Sequence, residues 1–415
     1  MKRIIIAAFL LITADLAIAQ NKMSLQEILQ TIDTANPVTK MYAAQIRSSD
    51  EAAKGARTWM PTDFSSGLYM TPYNPKMWQK GENGNAGMGQ YMLSVQQMFP
   101  NKKKQDAEAA YMEAMSSVDK ERLKFDLNRL YADAKKSYYE WLVINKKLNV
   151  IDENEKVLNF MIKDAEIRYK NGLDKLSAYY KAKAELARMM NMRLMLQNET
   201  NQQRIRLNTL MNRDKQQQFV IDTLYTIKDY STTSFDTTSL ATRSDLKAID
   251  REIQLTSLQQ SAEKNKTKPE FGVRYDHMFG FGGLPMQYSL MGMARIPIGK
   301  ANRMSKATVE SLRWKSEALS QQRQIVLNEA SGMAAGATAE IESKRRQVKL
   351  FEENIIPALR KNYQVMQLGY QQNTEQLFTL FDAWDTLNKT QIEYLDQLQQ
   401  LLSMQVELER VLERR

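Results

Sequence analysis

Residues 101–171 read NKKKQDAEAAYMEAMSSVDKERLKFDLNRLYADAKKSYYEWLVINKKLNVIDENEKVLNFMIKDAEIRYKN, bounded by Pro100 and Gly172. These 71 residues hold neither proline nor glycine, so nothing in them breaks an α-helix. A helix of that length would reach roughly 105 Å. Asn171-Gly172 is a C-terminal stop signal, and Asp174 is placed to cap a second helix, expected over 174–213.

Upstream, Leu25, Ile28, Leu29 and Ile32 recur at helical spacing, and Ser24 with Glu27 forms a capping box. A helix over about 24–58 follows, interrupted near its start by Asn36-Pro37 and ended by Pro61. Period-two alternation then predicts strands over about 62–70 and 90–99, joined by the Gly-, Pro- and Asn-rich loop Thr71 to Gly89. Beyond the second helix, a polar, Thr-rich connector spans 214–242, with weak strand character from Phe219 to Ile227.

The same order then recurs. A helix over 243–266 is broken by Pro269, strands follow over about 270–279 and 286–296, and Pro297 precedes a long helix over 302–368. Gly369 to Asn373 marks its turn, Thr374 is the expected cap, and a last helix covers 374–412. Pro61 matches Pro269, Pro100 matches Pro297 and Tyr169 matches Tyr370, at offsets of 208, 197 and 201 residues. Three landmarks in one order at a near-constant offset indicate a duplication, with repeats at 20–213 and 243–415. The fold class is mainly α with a small β part, built from duplicated strand–long-helix hairpins.

Composition narrows the chemistry. The 415 residues carry a net charge of +10, no cysteine, one histidine (His277) and 25 methionines. That excludes thiolate nucleophiles, cysteine-based metal centres and His–His metal pairs. No catalytic, cofactor or metal site is expected, and the protein is read as a non-enzyme. Met189, Met190, Met192 and Met195 cluster on one helix, but methionine is also a helix former and core filler. Lys2 and Arg3, the apolar run Ile4 to Leu11 and Ala17-Ile18-Ala19 form a cleavable signal peptide over 1–19. No later stretch approaches 18 consecutive apolar residues, so no transmembrane helix is expected. Export, together with basic residues interleaved with acidic ones, argues against nucleic acid as a partner.

Four strands cannot close a membrane-spanning barrel, and an open sheet leaves unsatisfied edges in lipid. The strands must therefore pair with those of other copies. Tyr91, Leu93, Val95, Phe99, Tyr288, Leu290 and Ile296 fall on the face suited to outer-membrane lipid. Asp63, Ser94, Gln96, Arg274, Asp276 and Arg295 fall on the face suited to a polar lumen. A soluble hairpin domain shows the same alternation, so the alternative is an exported coiled-coil scaffold or cell-wall adaptor without a pore. Helices of roughly 100 Å favour the conduit, because they would continue a barrel as a helical tube.

At the two hairpin turns the chain reads Arg168-Tyr169-Lys170-Asn171-Gly172-Leu173 and Leu368-Gly369-Tyr370-Gln371, the second running on to Leu380-Phe381-Asp382-Ala383. With Ile355-Ile356-Pro357 in the preceding long helix, this ordered set resembles the TolC-like outer-membrane efflux channel family over essentially the whole mature chain. The resemblance implies a homotrimer in the Gram-negative outer membrane, projecting into the periplasm. Its twelve-strand β-barrel would be continued by a twelve-helix periplasmic α-barrel. It also implies a passive exit duct for tripartite efflux or type I secretion, opened at its tip by a periplasmic adaptor (membrane fusion protein) and, through it, an inner-membrane pump.

The resemblance further places Tyr169, Asn171, Gly172, Leu173, Gly369, Asn373 and Thr374 at the adaptor-docking tips. It places Tyr370, Glu375 and Asp382 at the periplasmic gate. Asp382 matches an aspartate that narrows the pore, where three copies would form a cation-attracting ring. The acid that family members place across from the tip tyrosine falls at Ala178 here, and a basic gate position is Glu375, so the closing network is expected to differ.

Overall fold

The computed structural model describes residues 22–172, 175–230 and 240–414. The signal segment 1–19, Leu173 and Asp174 lie outside the described residues. In chain order the elements are β1 (Lys22–Met23), α1 (Leu25–Ala35), α2 (Pro37–Lys54), β2 (Asp63–Tyr69), β3 (Gln90–Phe99), α3 (Lys102–Lys170) and α4 (Leu176–Leu210). They continue with β4 (Val220–Ile221), α5 (Ser244–Asn265), β5 (Glu270–Gly280), β6 (Gln287–Arg295), α6 (Arg303–Leu350), α7 (Ile356–Gln371) and α8 (Leu377–Val411). No described helix is long and apolar enough to cross a membrane.

The chain divides into two compact units that cut across the sequence repeats. The sheet unit joins Met41–Arg122 to Ser244–Val326. The helical unit joins the described part of Met1–Lys40 to Leu123–Arg243 and Leu327–Arg415. Each unit draws on both repeats because α3 and α6 each run from one unit into the other.

In the sheet unit, four antiparallel strands lie in the order β2-β3-β5-β6, so the central pairing joins the two repeats. Ion pairs join the rest of this unit: Arg323 of α6 to Asp250 of α5 at 2.7 Å, Arg122 of α3 to Glu252 of α5, and Arg57, in the turn after α2, to Glu113 of α3 at 2.8 Å. Ile296 lies just beyond β6, outside the strand in which the sequence placed it.

The helical unit buries two main clusters. One packs Ile28, Ile32, Tyr138, Trp141, Leu207 and Leu398. The other packs Leu158, Met161, Tyr370, Leu380, Phe381 and Trp384 around the helix turns. In the first, the Tyr138 hydroxyl donates to the Asp222 carbonyl at 2.7 Å, and burial pushes its pKa up to about 12. Of the four methionines noted on α4, Met189 is buried while Met190, Met192 and Met195 are exposed. The short parallel pair of β1 and β4 tethers the start of the chain to the connector, where Lys22 meets Asp222 at 3.1 Å.

The interruption expected at Asn36-Pro37 is a full break, and two further helix features differ from those expected. The helix read over 24–58 is two helices. Asn36 has extended backbone, its Oδ1 accepts from the Val38 N–H at 2.9 Å, and its amide donates to the Leu210 carbonyl at 2.7 Å. Pro37 then starts a new helix, where its missing N–H costs nothing. The helix read over 302–368 contains a π-turn at Phe351–Ile355, which ends two residues before Pro357. Proline clashes with the carbonyl four residues earlier, and the wider turn relieves it by bonding the Ile356 N–H to the Phe351 carbonyl. Finally, α8 begins at Leu377, and Thr374 closes the preceding helix instead of opening this one.

Candidate functional site

The strand face comes first. Register places Phe64, Leu68, Tyr91, Leu93, Val95, Phe99, Phe271, Val273, Tyr275, Tyr288 and Leu290 on one face. All are exposed, from 36% at Val95 to 76% at Phe64. The opposite face carries Asp63, Ser94, Gln96, Glu270, Arg274, Asp276 and Arg295. On the central strands this polar face is the covered one: Ser94 is 4% exposed, Glu270 4% and Asp276 2%. The buried charges are satisfied locally. Arg274 Nε meets Asp276 Oδ1 at 2.8 Å, and Glu270 takes Lys104 at 2.5 Å and Arg295 at 3.5 Å.

This is the reverse of a water-soluble sheet, which buries its apolar face and solvates its polar one. His277 sits on the apolar face beside Phe279, with ring centroids 4.5 Å apart. The loops beyond the strands pack on each other: Trp78 stacks on Phe281 at 5.5 Å, and the Gly87 N–H donates to the Gly282 carbonyl at 2.9 Å. A Cβ on Gly87 would lie 2.9 Å from the Gly282 Cα, so this approach requires glycine.

The helix turns form the second part of the site. At the first turn Gly172 takes φ +72°, and its N–H bonds the Tyr169 carbonyl at 3.0 Å. Tyr169, Asn171 and Gly172 are exposed. At the second turn Asn373 takes φ +57°. The Thr374 N–H donates to the Gly369 carbonyl at 2.9 Å and the Asn373 N–H to the Tyr370 carbonyl at 3.1 Å, which is a Schellman closure. Asparagine serves because it tolerates the left-handed conformation. The Thr374 hydroxyl adds a third bond to the Gly369 carbonyl. Glu375 is half-buried against Gly369, where a Cβ would come 2.7 Å from its Cγ.

A single polar chain joins the two turns. The Tyr370 hydroxyl donates to Asp164, the Arg168 guanidinium stacks 4.4 Å from the Tyr370 ring, and Arg168 donates to Asn373 Oδ1 at 3.0 Å. Tyr370 itself is 5% exposed. The sequence does not single out Asp164 and Arg168, although their four-residue spacing one turn before Asn171 puts them on one helix face. Asp382 lies close by in sequence but is exposed, pointing away from the buried stripe of Leu380, Phe381, Ala383 and Trp384. The structure thus gathers Tyr169, Asn171, Gly172, Gly369, Tyr370, Asn373, Thr374 and Glu375 around one pair of turns and sets Asp382 apart from the polar chain.

No protein-family model matches this sequence, and no curated protein matches it significantly. Solved structures do match. The outer-membrane channel OprN superposes with a TM-score of 0.76 at 14% identity, over 94% of this chain and 90% of that one. CusC, described in connection with transmembrane channel formation, gives 0.76 at 14% over 94% and 91%. The Campylobacter jejuni CmeC outer membrane channel gives 0.72 at 11% over 94% and 85%. The chain has the fold of the TolC-like outer-membrane channels. The resemblance carried by the two hairpin turns is thereby borne out for the fold.

Proposed function

We propose that this chain is one protomer of a passive trimeric exit duct in the outer membrane of a Gram-negative cell. Three four-stranded sheets close a twelve-strand barrel, and the long helices continue it as a twelve-helix tube in the periplasm. The observation that carries this reading is the reversed sheet: exposed aromatic and aliphatic side chains on one face, buried and paired charges on the central strands of the other, and two open strand edges. In lipid such edges are tolerated only when closed by further strands. A pore-free scaffold leaves both the apolar face and the edges without a use.

On this reading the duct supplies no energy of its own. It is opened at the paired turns by a periplasmic adaptor and an inner-membrane pump, for efflux or for type I secretion. The turn residues Tyr169, Asn171, Gly172, Leu173, Gly369, Asn373 and Thr374 form the adaptor's contact. Tyr370, held by Asp164 and Arg168, ties the tip shut. Asp382, exposed in the single chain, faces the lumen, where three copies would attract cations.

Single-channel recording of the detergent-purified protein in planar bilayers tests this. Stable openings from a trimer are expected, with block by divalent cations weakened in Asp382→Ala. A protein that stays monomeric and soluble without detergent and never inserts would overturn the duct. Openings whose cation block ignores Asp382→Ala would move that carboxylate out of the lumen.

A further inference from the structure

We infer the register of the seam between protomers: Arg295 at the end of β6 stands opposite the partner's Asp63 at the start of β2. From there the pairing runs to Ser289 opposite the partner's Tyr69. The inference rests on the trimeric-barrel reading above and fixes a detail that this reading leaves open.

Face parity restricts the choice. Phe64 and Leu68 stand beside Val95 and Tyr91, and through β5 they share a face with Leu290 and Tyr288. A one-residue slip at the seam would turn the partner's β2 over and put Asp63 toward lipid, so only every second register is allowed.

Strand slide selects among these. The cross-strand row through Ser66, the midpoint of β2, runs to Leu93, His277 and Tyr288. Tyr288 lies three positions from Met291, the midpoint of β6. Strand midpoints therefore slide by about one residue per strand, toward the end that carries Asp63 and Arg295. A slide of ~3.3 Å per ~4.8 Å of strand spacing is a tilt of about 35°, at the edge of the range in which closed barrels sit. One further step of the same size sets the partner's Ser66 opposite Gly292, which satisfies parity.

The side chains brought together in this register agree with it. Arg295, its side chain 62% exposed, meets the partner's Asp63 on the polar face. On the apolar face the partner's large Phe64 meets Ala294, and its Leu68 meets Leu290. All seven residues of β2 find partners within β6. Shifting by two residues one way sets Asp63 opposite Met293. Shifting the other way sets it opposite Pro297, which has no N–H to donate.

The chain has no cysteine, so introduced pairs would be its sole thiols. Four double variants of the full chain, purified in mild detergent, would be oxidised with copper phenanthroline and run on non-reducing gels. The matched pairs are Ser66→Cys with Gly292→Cys and Ser65→Cys with Met293→Cys, successive positions so that one of them is the closer, non-hydrogen-bonded type. The offset pairs are Ser66→Cys with Leu290→Cys and Ser66→Cys with Ala294→Cys. At least one matched pair should form covalent dimers and trimers about fivefold more than either offset pair, given how steeply disulfide formation depends on Cα separation. Independently, Asp63→Arg and Arg295→Glu should each reduce the trimer fraction, and the double variant should restore it. An offset pair that cross-links best, or an intact trimer that no pair cross-links, would overturn the register. A monomer by light scattering in mild detergent would instead overturn the trimeric reading itself.

Discussion

Leu290 and Met291 are neighbours on β6 and point to opposite faces. Leu290 is 72% exposed and stands opposite Tyr275, while Met291 is 42% exposed and stands opposite Arg274. If both faces met water, lysine at either position would change stability by no more than about 0.5 kcal/mol, because little is buried there to lose. If the Leu290 face meets lipid, its place one residue from the strand midpoint sets it near mid-bilayer, where a lysine costs ~2–4 kcal/mol. Lysine at Met291 would meet Arg274 across the strand pair, a like-charge contact costing at most about 1 kcal/mol. The assay is guanidinium-induced unfolding of each variant refolded into lipid vesicles, with the trimer fraction on unheated gels as a second readout. Because every trimer carries three substitutions, Leu290→Lys should depress assembly far more than Met291→Lys. Equal, small effects at both positions would refute the lipid-facing assignment and the reversed-sheet reasoning with it.

Three further outcomes follow from the helical unit. Glu409 bonds Lys135 at 2.6 Å and Lys228 at 2.5 Å, and Lys135 is buried, so Glu409→Gln should cost ~3–5 kcal/mol in denaturant unfolding by stranding that ammonium. Burial alone would raise the Glu409 pKa, but the two lysine bonds outweigh it and hold it below the ordinary range. Its stabilising effect is therefore present above roughly pH 4.3 and lost as pH falls through the lower folded value, so wild type and Glu409→Gln should converge in acid. Tyr370→Phe removes the bond to Asp164 and should raise the open probability in bilayers, whereas a closed channel indistinguishable from wild type would leave the tip chain without a gating role. Trp384→Phe leaves Asn154 Oδ1 without the indole donor at 2.6 Å and should destabilise by ~1–3 kcal/mol, read by thermal unfolding in detergent.

What was legible in the sequence is what has a local period. Alternation between Tyr91 and Phe99 and between Phe271 and Tyr275 is the same alternation of exposure that the sheet displays. The proline-free run at 101–171 is one helix up to Lys170. Illegible features depend on partners far along the chain. Asp164 and Tyr370 are 206 residues apart, and no spacing rule links an acid on α3 to a tyrosine on α7. The node at Glu409 takes a lysine from α3 and another from the connector, each solvated in any local reading. Threonine favours the position that opens a helix, which is why the sequence suggests Thr374 as a cap. The glycine four residues before the left-handed Asn373 instead offers a carbonyl to three donors, and the hydroxyl goes there.

The duplication and the reversed sheet constrain each other. Each repeat supplies two strands, and β3 pairs with β5, so the repeats meet in the middle of one sheet and neither holds an independent one. A four-stranded sheet whose central charges are covered while its aromatics are exposed is poorly suited to water, where the aromatic face would have to be buried. It has no stable place in lipid while β2 and β6 remain unpaired. The proposed assembly of further copies would resolve both demands. In the proposed duct they would extend the sheet edge to edge without covering the aromatic face, which argues against face-to-face stacking and for closure into a ring. The symmetry of that proposed assembly would then fall on every helix that leaves the sheet, since α3 and α6 run from the sheet unit into the helical unit without interruption at that boundary. On the proposed reading, a ring of strands would carry a ring of helices with it, so the proposed tube rests on the sheet chemistry before it rests on the helix lengths.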